Sequence, residues 1–205
     1  MNPFFSVIIA TYNREKLLIR ALRSLIAQTE TDWEAVIVDD GSTDNTEQAV
    51  QAFLSPKIRY VKQPNQGDAI AKNNGAKLSH GSYITFLDSD DFYEPEHLKI
   101  RKEMLEKNNE TDLLHGGVRI IGDQYVPDIR NPTMKISLTE CVIGATFCIK
   151  KEVFFKLDCF ENINYGSDTK LFTKALHLGC KIIKTDNPTY VYDRTSTDSI
   201  THKFG

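Results

Sequence analysis

Residues 82–91 read Ser-Tyr-Ile-Thr-Phe-Leu-Asp-Ser-Asp-Asp, a short β-branched and aromatic run that passes without a break into three aspartates. Such a run reads as a buried strand whose C-terminal end carries a charged loop. The same grammar occurs three times upstream. Residues 5–10 are apolar and lead to Thr11-Tyr12-Asn13. Residues 33–38, apolar apart from Glu34, lead to Asp39-Asp40-Gly41-Ser42-Thr43-Asp44, and residues 58–61 lead to Gln63-Pro64-Asn65-Gln66-Gly67. Each loop precedes a helical pattern. The first places Leu17, Leu18, Ala21, Leu22, Leu25 and Ile26 at helical spacing, the second carries Ala49, Val50, Phe53 and Leu54, and the third covers residues 69–78. The third stops near His80-Gly81, where glycine suits a C-terminal cap. Strands apolar on both faces, alternating with helices, predict an α/β fold. Its mostly parallel, Rossmann-like central sheet is covered on each side and joined by right-handed crossovers.

The pattern changes character downstream. After Glu94-Pro95 a helix carries Leu98, Met104 and Leu105. Residues 113–121 and 142–149 then read as strands, with a proline-containing, weakly patterned connection over 126–137. Residues 151–157 and 169–178 read as helices, and Tyr190-Val191-Tyr192 as a final strand. No Gly/Ser-rich linker interrupts the chain, so residues 1–205 are expected to form one domain with a nucleotide-binding half over 1–92 and a less regular half over 93–205.

Composition narrows the partners. The chain has 205 residues, 40% of them hydrophobic and 26% charged, which suffices for one well-buried core. Twenty-five Lys plus Arg against 28 Asp plus Glu give a formal charge of −3, so no strong positive field exists to hold a nucleic acid. No apolar run approaches the ~18 residues that span a bilayer. The opening Met1-Asn2-Pro3-Phe4-Phe5 lacks the basic segment of a secretion signal, and a cytoplasmic address is expected. Cys141, Cys148, Cys159 and Cys180 form no C-x-x-C pair and read as reduced, packed thiols. His80, His97, His115 and His177 show no metal-ligand spacing.

The chemistry concentrates in aspartates. In an open parallel sheet the carboxyl ends of the strands share one edge, so Asp39-Asp40 and Asp88, Asp90 and Asp91 are expected to converge there. Carboxylates gathered at one mouth repel unless a hard divalent cation neutralises them, and Mg²⁺ typically takes one or two carboxylates plus phosphate oxygens and water. A metal-diphosphate ligand fits. Asp44, within good turn chemistry before a helix, reads as a cap, and Asp91 as a cap or supporting group.

Five motifs in order carry a resemblance: Thr11-Tyr12-Asn13-Arg14; Val38-Asp39-Asp40-Gly41-Ser42-Thr43-Asp44; Asn65 with Gly67; Ala71-Lys72-Asn73; and Phe86-Leu87-Asp88-Ser89-Asp90-Asp91. Together they resemble the successive motifs of family 2 glycosyltransferases with the GT-A fold, closely over the first half and more loosely beyond. The resemblance implies an inverting enzyme that moves a sugar from a nucleotide-diphosphate donor, a UDP-sugar foremost, to the hydroxyl of a saccharide or lipid-linked saccharide. Cell-surface polysaccharide synthesis is the implied setting, with contact at the inner face of a membrane compatible with it. It places Tyr12 against the base and lets Asp40 accept the imide N–H of the base. Thr11, Arg14, Lys72, Asp88 and Ser89 join the donor site, with Asp88 near the ribose and the metal. Asp90 becomes the principal ligand of a divalent cation, Mg²⁺ or Mn²⁺, with His202 as a further candidate. Lys72 stands where the family commonly has arginine, so it keeps the charge and loses the bidentate fork.

Downstream, residues 144–154, Phe160 and Tyr165-Gly166-Ser167-Asp168 resemble the stretch that carries the catalytic base, commonly the Asp of a Glu-Asp pair. Ser167 replaces the Glu, leaving Asp168 as the base. Its plainer reading is an N-cap of the helix that follows. Rival readings are a phosphoacceptor signalling domain, a sugar nucleotidyltransferase and a nucleotide-binding module that has lost catalysis. The first explains neither Ala71-Lys72-Asn73 nor the Ser-Asp helix start. The second usually has a glycine-rich phosphate loop, whereas residues 10–14 contain no glycine.

Overall fold

The computed structural model describes residues 2–128, 131, 133–163 and 165–195. The regular first half contains β1 (Phe5–Thr11), α1 (Glu15–Ile26), β2 (Trp33–Asp39), α2 (Thr46–Gln51), β3 (Ile58–Lys62), α3 (Asp68–Leu78) and β4 (Tyr83–Phe86). It continues with β5 (Phe92–Tyr93), α4 (His97–Lys107), β6 (Leu113–Ile121), the hairpin β7 (Tyr125–Pro127) and β8 (Lys135–Ser137), β9 (Cys148–Lys150), α5 (Lys151–Lys156), α6 (Ser167–His177) and β10 (Ile182–Asp193). The main sheet has the order β3-β2-β1-β4-β9-β6-β10-β5. Its β1, β2, β3 and β4 are parallel, and β9 enters antiparallel between β4 and β6. This is a curled, mostly parallel α/β sheet.

Alternation along the strands builds two apolar layers, because successive side chains point to opposite faces. Phe5, Val7, Ile9, Ala35 and Ile37 pack with Leu18, Leu22 and Leu25 of α1, Val50 of α2 and Leu98 of α4. Ile8, Val36, Val38, Ile84 and Phe86 pack on the other side with Ala71 of α3, Phe154 of α5 and Leu171 of α6. Gly75 lets α3 approach the sheet closely: a Cβ there would sit 2.6 Å from Ile8 Cγ2 and 3.1 Å from Val38 Cγ2. That close seat brings the start of α3 to the strand ends.

Several elements differ from the sequence reading. Residues 142–149 do not form one strand; a single 3₁₀ turn, Gly144–Thr146, precedes β9. Thr146 explains the diversion, since its Oγ1 donates to Ile143 O at 2.7 Å and accepts from Gly116 N at 3.0 Å. Such side-chain bonds compete with a strand ladder. The connection over 126–137 holds the β7/β8 hairpin. The final strand spans twelve residues, with a register shift between Thr185 and Tyr190 that accommodates Asp186, Asn187 and Pro188. Those turn residues hide the strand from a periodicity argument. The N-cap of α6 is Gly166 at φ 81°, and Asp168 lies inside the first turn rather than at the cap.

Candidate active site

The loops after β1, β2 and β4 meet at the C-terminal edge of the parallel strands. The first two are laced together. Asn13, at φ 52°, donates its backbone N–H to Ser42 Oγ at 2.9 Å and accepts Thr43 N–H on its Oδ1 at 2.8 Å. Asp44 accepts from Thr46 N at 3.0 Å and from Glu15 N at 3.3 Å, which anchors the first turns of both α2 and α1 and holds its carboxyl below the usual range against the effect of burial. Asp39 is fully buried, accepts Ser42 N at 2.7 Å and receives the Tyr60 hydroxyl. Both aspartates are therefore part of the loop framework.

Asp40 is different. Its Oδ1 accepts Gln63 Nε2 at 2.7 Å and Gln66 N at 2.9 Å, and its Oδ2 accepts Gly67 N at 2.8 Å. The carboxylate thus caps the start of α3 from outside, satisfying N–H groups that have no intrahelical partner. A carboxylate offers about four acceptor positions, so three bonds leave one on Oδ2. Thr11 is buried and its carbonyl receives Asp40 N at 2.8 Å, while its Oγ1 has no partner among the described residues. Tyr12 is 47% exposed, so its ring belongs to no core and is open to a flat ligand.

A charge network joins the rest. Lys72 is buried, with its ammonium 2.9 Å from Asp68 and 2.6 Å from Asp88. Burial works against that charge, yet the two carboxylates raise the Lys72 pKa above its ordinary value. Desolvation raises the Asp68 carboxyl; Lys72 opposes the shift, and the charges of Asp88 and Asp40 add to it. Asp90 is raised by burial and then by Asp88, with Arg14 at 3.9 Å opposing. Asp40 and Asp90 are therefore linked through Asp68, Lys72 and Asp88 in one electrostatic neighbourhood. Ser89, between the two aspartates, is buried. Substituting Lys72 by Met leaves Asp68 and Asp88 unneutralised, and we expect a loss of about 2–3 kcal/mol in urea unfolding. A fully buried pair broken on one side costs about 3–5 kcal/mol, and both carboxylates here keep some water.

Asp168 joins from the other half of the chain. Its Oδ2 accepts Gly144 N at 3.0 Å and its Oδ1 accepts Thr169 N at 2.7 Å. Burial raises its carboxyl above the ordinary value; the Gly144 and Thr169 N–H groups and then the charge of Lys72 oppose the shift. Asp168 thus feels Lys72 across the cleft. The fit to Gly144 is tight, because a Cβ there would lie 2.5 Å from Asp168 Cβ. Ser167, the first residue of α6, supplies neither of these bonds.

The loop 88–91 is held from behind by residues that sequence patterning did not single out. Tyr190 receives Asp88 N on its hydroxyl at 3.2 Å and donates to Asp91 at 2.7 Å. Asp193 N donates to the other Asp91 oxygen at 2.8 Å. Arg20 bridges Asp193 at 2.6 Å and the Asp90 carbonyl, with its guanidinium 4.9 Å over the Phe92 ring. Asp91 is consequently a buried support, its carboxyl pushed well up by burial and by Asp88 and Asp90. Gln63 and Asp68 escaped notice for the same reason: their roles exist only once distant loops meet. His202 lies outside the described residues.

A sequence model described as glycosyl transferase family 2 matches residues 6–165. The chain belongs to that family. Chondroitin synthase of Escherichia coli is 41% identical over 100 residues, covering 48% of this chain and 15% of that protein. The matching stretch covers 15% of chondroitin synthase, 37% of the putative colanic acid biosynthesis glycosyl transferase WcaA of Escherichia coli and 72% of the glycosyltransferase GlyG of Streptococcus pneumoniae. S. aureus TarS 1-349, solved in complex with UDP-GlcNAc, superposes with a TM-score of 0.82 at 24% identity, over 98% of this chain and 60% of that one. The mannosyltransferase PcManGT from Pyrobaculum calidifontis, in complex with GDP-Man and Mn²⁺, gives a TM-score of 0.74 at 23% identity, over 93% of this chain and 57% of that one. The GT-A fold of this family 2 member follows from these superpositions. Among the described residues no helix is long and apolar enough to cross a membrane, and no three His, Cys, Asp or Glu side chains gather into a ready-made metal cage.

Proposed function

We propose that this family 2 member transfers a sugar with inversion from a nucleotide-diphosphate donor, a UDP-sugar, to an acceptor hydroxyl in surface-polysaccharide assembly. The observation that carries the reading is the Asp168 carboxylate, pinned by Gly144 and Thr169 and within electrostatic reach of Lys72, which pairs with Asp88. In this reading residues 1–92 hold the donor and residues 93–205 present the acceptor. Asp40 takes the imide N–H of uracil on its remaining acceptor position, and the exposed Tyr12 ring covers the base. UDP-GlcNAc in TarS and GDP-Man with Mn²⁺ in PcManGT support a nucleotide-sugar donor and a divalent cation.

Two carboxylates with hard oxygen donors, Asp88 and Asp90, fit Mg²⁺ or Mn²⁺ when diphosphate oxygens and water complete the shell. When bound, such an ion supplies Lewis-acid stabilisation of the charge on a departing diphosphate. Arg14 and Lys72 would add positive charge on the same side. Asp168 accepts the proton of the acceptor hydroxyl as that oxygen attacks the anomeric carbon opposite the nucleotide, so one displacement inverts the configuration. Its two backbone N–H bonds fix the carboxylate for that approach.

The experiment is calorimetric titration with UDP and GDP, with and without Mn²⁺, followed by NMR assignment of the anomeric configuration of any product. Metal-dependent UDP binding and an inverted product support the reading; a retained configuration or tighter GDP binding would overturn the mechanism or the base assignment respectively. Gly144→Ala tests the base from a distance. A methyl group there forces Asp168 away, and a displacement on the order of 1 Å costs about 10²-fold in turnover. UDP affinity should stay unchanged in the same variant.

A further inference from the structure

A cavity of about 320 Å³ opens between the beginning of β6, the turn before β9, α6 and β10. We propose that it seats the terminal ring of an electrically neutral sugar acceptor. The proposal rests on the transferase reading above and specifies the acceptor for it.

Position is the first argument. Ile149 of β9 pairs with Ile84 of β4 on one side and with Leu113 of β6 on the other, so β4 and β6 run in the same direction and in step. His115 is thus level with Phe86, and Gly116 to Val118 reach the height of the aspartate loop. The cavity also shares its walls with the base. Ile143 precedes Gly144, whose N–H holds Asp168, and Phe172 stands one helical turn along α6 from Asp168. The Cys141 thiol on the wall is pushed up by burial and then by the charge of Asp168.

The shape comes from the break in the sheet. Gly116 and Gly117 adopt φ of +88° and +70°, and a Cβ on Gly117 would lie 2.2 Å from Asn187 O. The strands lose register at this point, between Thr185 and Tyr190, which opens the space. Ligand pockets commonly run from about 300 to 1,000 Å³, so this one holds a single ring rather than an extended chain.

The chemistry selects the ring. Phe172 offers an aromatic surface, set edge to face with His115 at 4.9 Å and stacked on Phe147 at 6.2 Å. Burial, and then the charges of Lys184 and Arg101, lower the His115 pKa and keep that imidazole neutral. The rim carries Thr139, Glu140, Lys184 and Asp186, all exposed. Glu140 and Asp186 stand against Lys184 on the rim, and Asp168 and Arg101, of opposite sign, stand behind it, so the balance stays negative by one charge. A pyranose presents a C–H face to an aromatic ring and hydroxyls to carboxylates. A uronate or a phosphate on that ring meets like charge, in a recess where repulsion is poorly screened.

The test is saturation-transfer NMR on the full chain with methyl β-glucoside, methyl N-acetyl-β-glucosaminide and methyl β-glucuronide, each with and without UDP and Mg²⁺. The neutral glycosides are expected to bind at least ten-fold more tightly than the glucuronide. Thr139→Trp, which fills the recess from an exposed rim position, should abolish their signals with UDP affinity unchanged. Glu140→Lys combined with Asp186→Lys, also exposed, should shift the preference towards the glucuronide by at least ten-fold. Glucuronide binding as tight as that of the neutral sugars overturns the proposal. So does neutral-sugar binding that survives Thr139→Trp, or UDP binding without any glycoside binding. Failure of the wild type to bind UDP overturns the transferase reading instead, while the samples without UDP still report on the cavity alone.

Discussion

Asp168→Asn lowers sugar-transfer turnover by about 10²–10⁴-fold, the range a positioned general base contributes, and leaves UDP affinity where it was. The amide keeps the shape of the side chain and its oxygen can still accept Gly144 N–H, which holds the turn before β9 in place. The capacity to take a proton disappears, together with the local bond from Thr169 N–H. The wild-type pH profile carries the same signature. Burial raises the Asp168 carboxyl above its ordinary value, so the acid limb of kcat falls at a higher pH than the ~3.9 of a free aspartate. The stability sign is opposite to that of a salt-bridged acid. A carboxyl raised in the folded state penalises folding once it ionises, and the penalty is absent below the unfolded pKa. Relief of that penalty offsets the lost Thr169 N–H bond, so the Asn variant should melt close to wild type at neutral pH. A variant that retains more than a tenth of the turnover, or that loses turnover and UDP binding together, sinks the assignment.

Asp90→Asn separates stability from function more sharply. In the free protein the Asp90 carboxyl is raised by burial and by Asp88, and Arg14 at 3.9 Å offsets this only in part. Neutralising it relieves the repulsion, so the melting temperature of the free variant rises at pH 7. The gain fades as the pH falls through the raised pKa of Asp90 and is gone below about 4, the ordinary aspartate value, where the Asp90 carboxyl is protonated in folded and unfolded states alike. Ligand stabilisation moves the other way. A wild-type protein at 100 times the Kd for UDP with Mn²⁺ gains about 2.7 kcal/mol, seen as a thermal shift, and the variant loses most of it. A variant that melts lower than wild type when free, or that keeps the full Mn²⁺-dependent shift, contradicts the role given to Asp90. A scan with UDP alone, without metal, separates base recognition by Asp40 from cation binding.

Much of the aspartate-rich sheet edge was legible in the chain because its information is local. Strands β1, β2 and β4 are apolar on both faces and end abruptly in polar loops, and a parallel sheet obliges those ends to share an edge. The expected convergence of Asp40 with Asp88 and Asp90 needs nothing further. Asp44 and Asp91 were also readable as supports from turn chemistry. The second half of the chain was harder. Thr146 diverts the backbone with its own hydroxyl, and Asp186, Asn187 and Pro188 interrupt a strand that continues beyond them. Thr146 also takes Gly116 N–H, thirty positions away, and β10 resumes its pairing with β6 across the interruption, so no short window of sequence contains all the partners.

What the linear chain determined by itself is the alternation of buried strands and amphipathic helices, the family motifs, and the placement of carboxylates at strand ends. These follow from periodicity and from steric rules that act over a few residues. Tertiary structure alone decided that Lys72 is clamped between Asp68 and Asp88, that Arg20 and Tyr190 brace the aspartate loop, and that Gly144 sets the position of Asp168. The reason is physical. A carboxylate's charge state and direction depend on the donors, cations and low-dielectric walls around it, and those neighbours come from the whole chain.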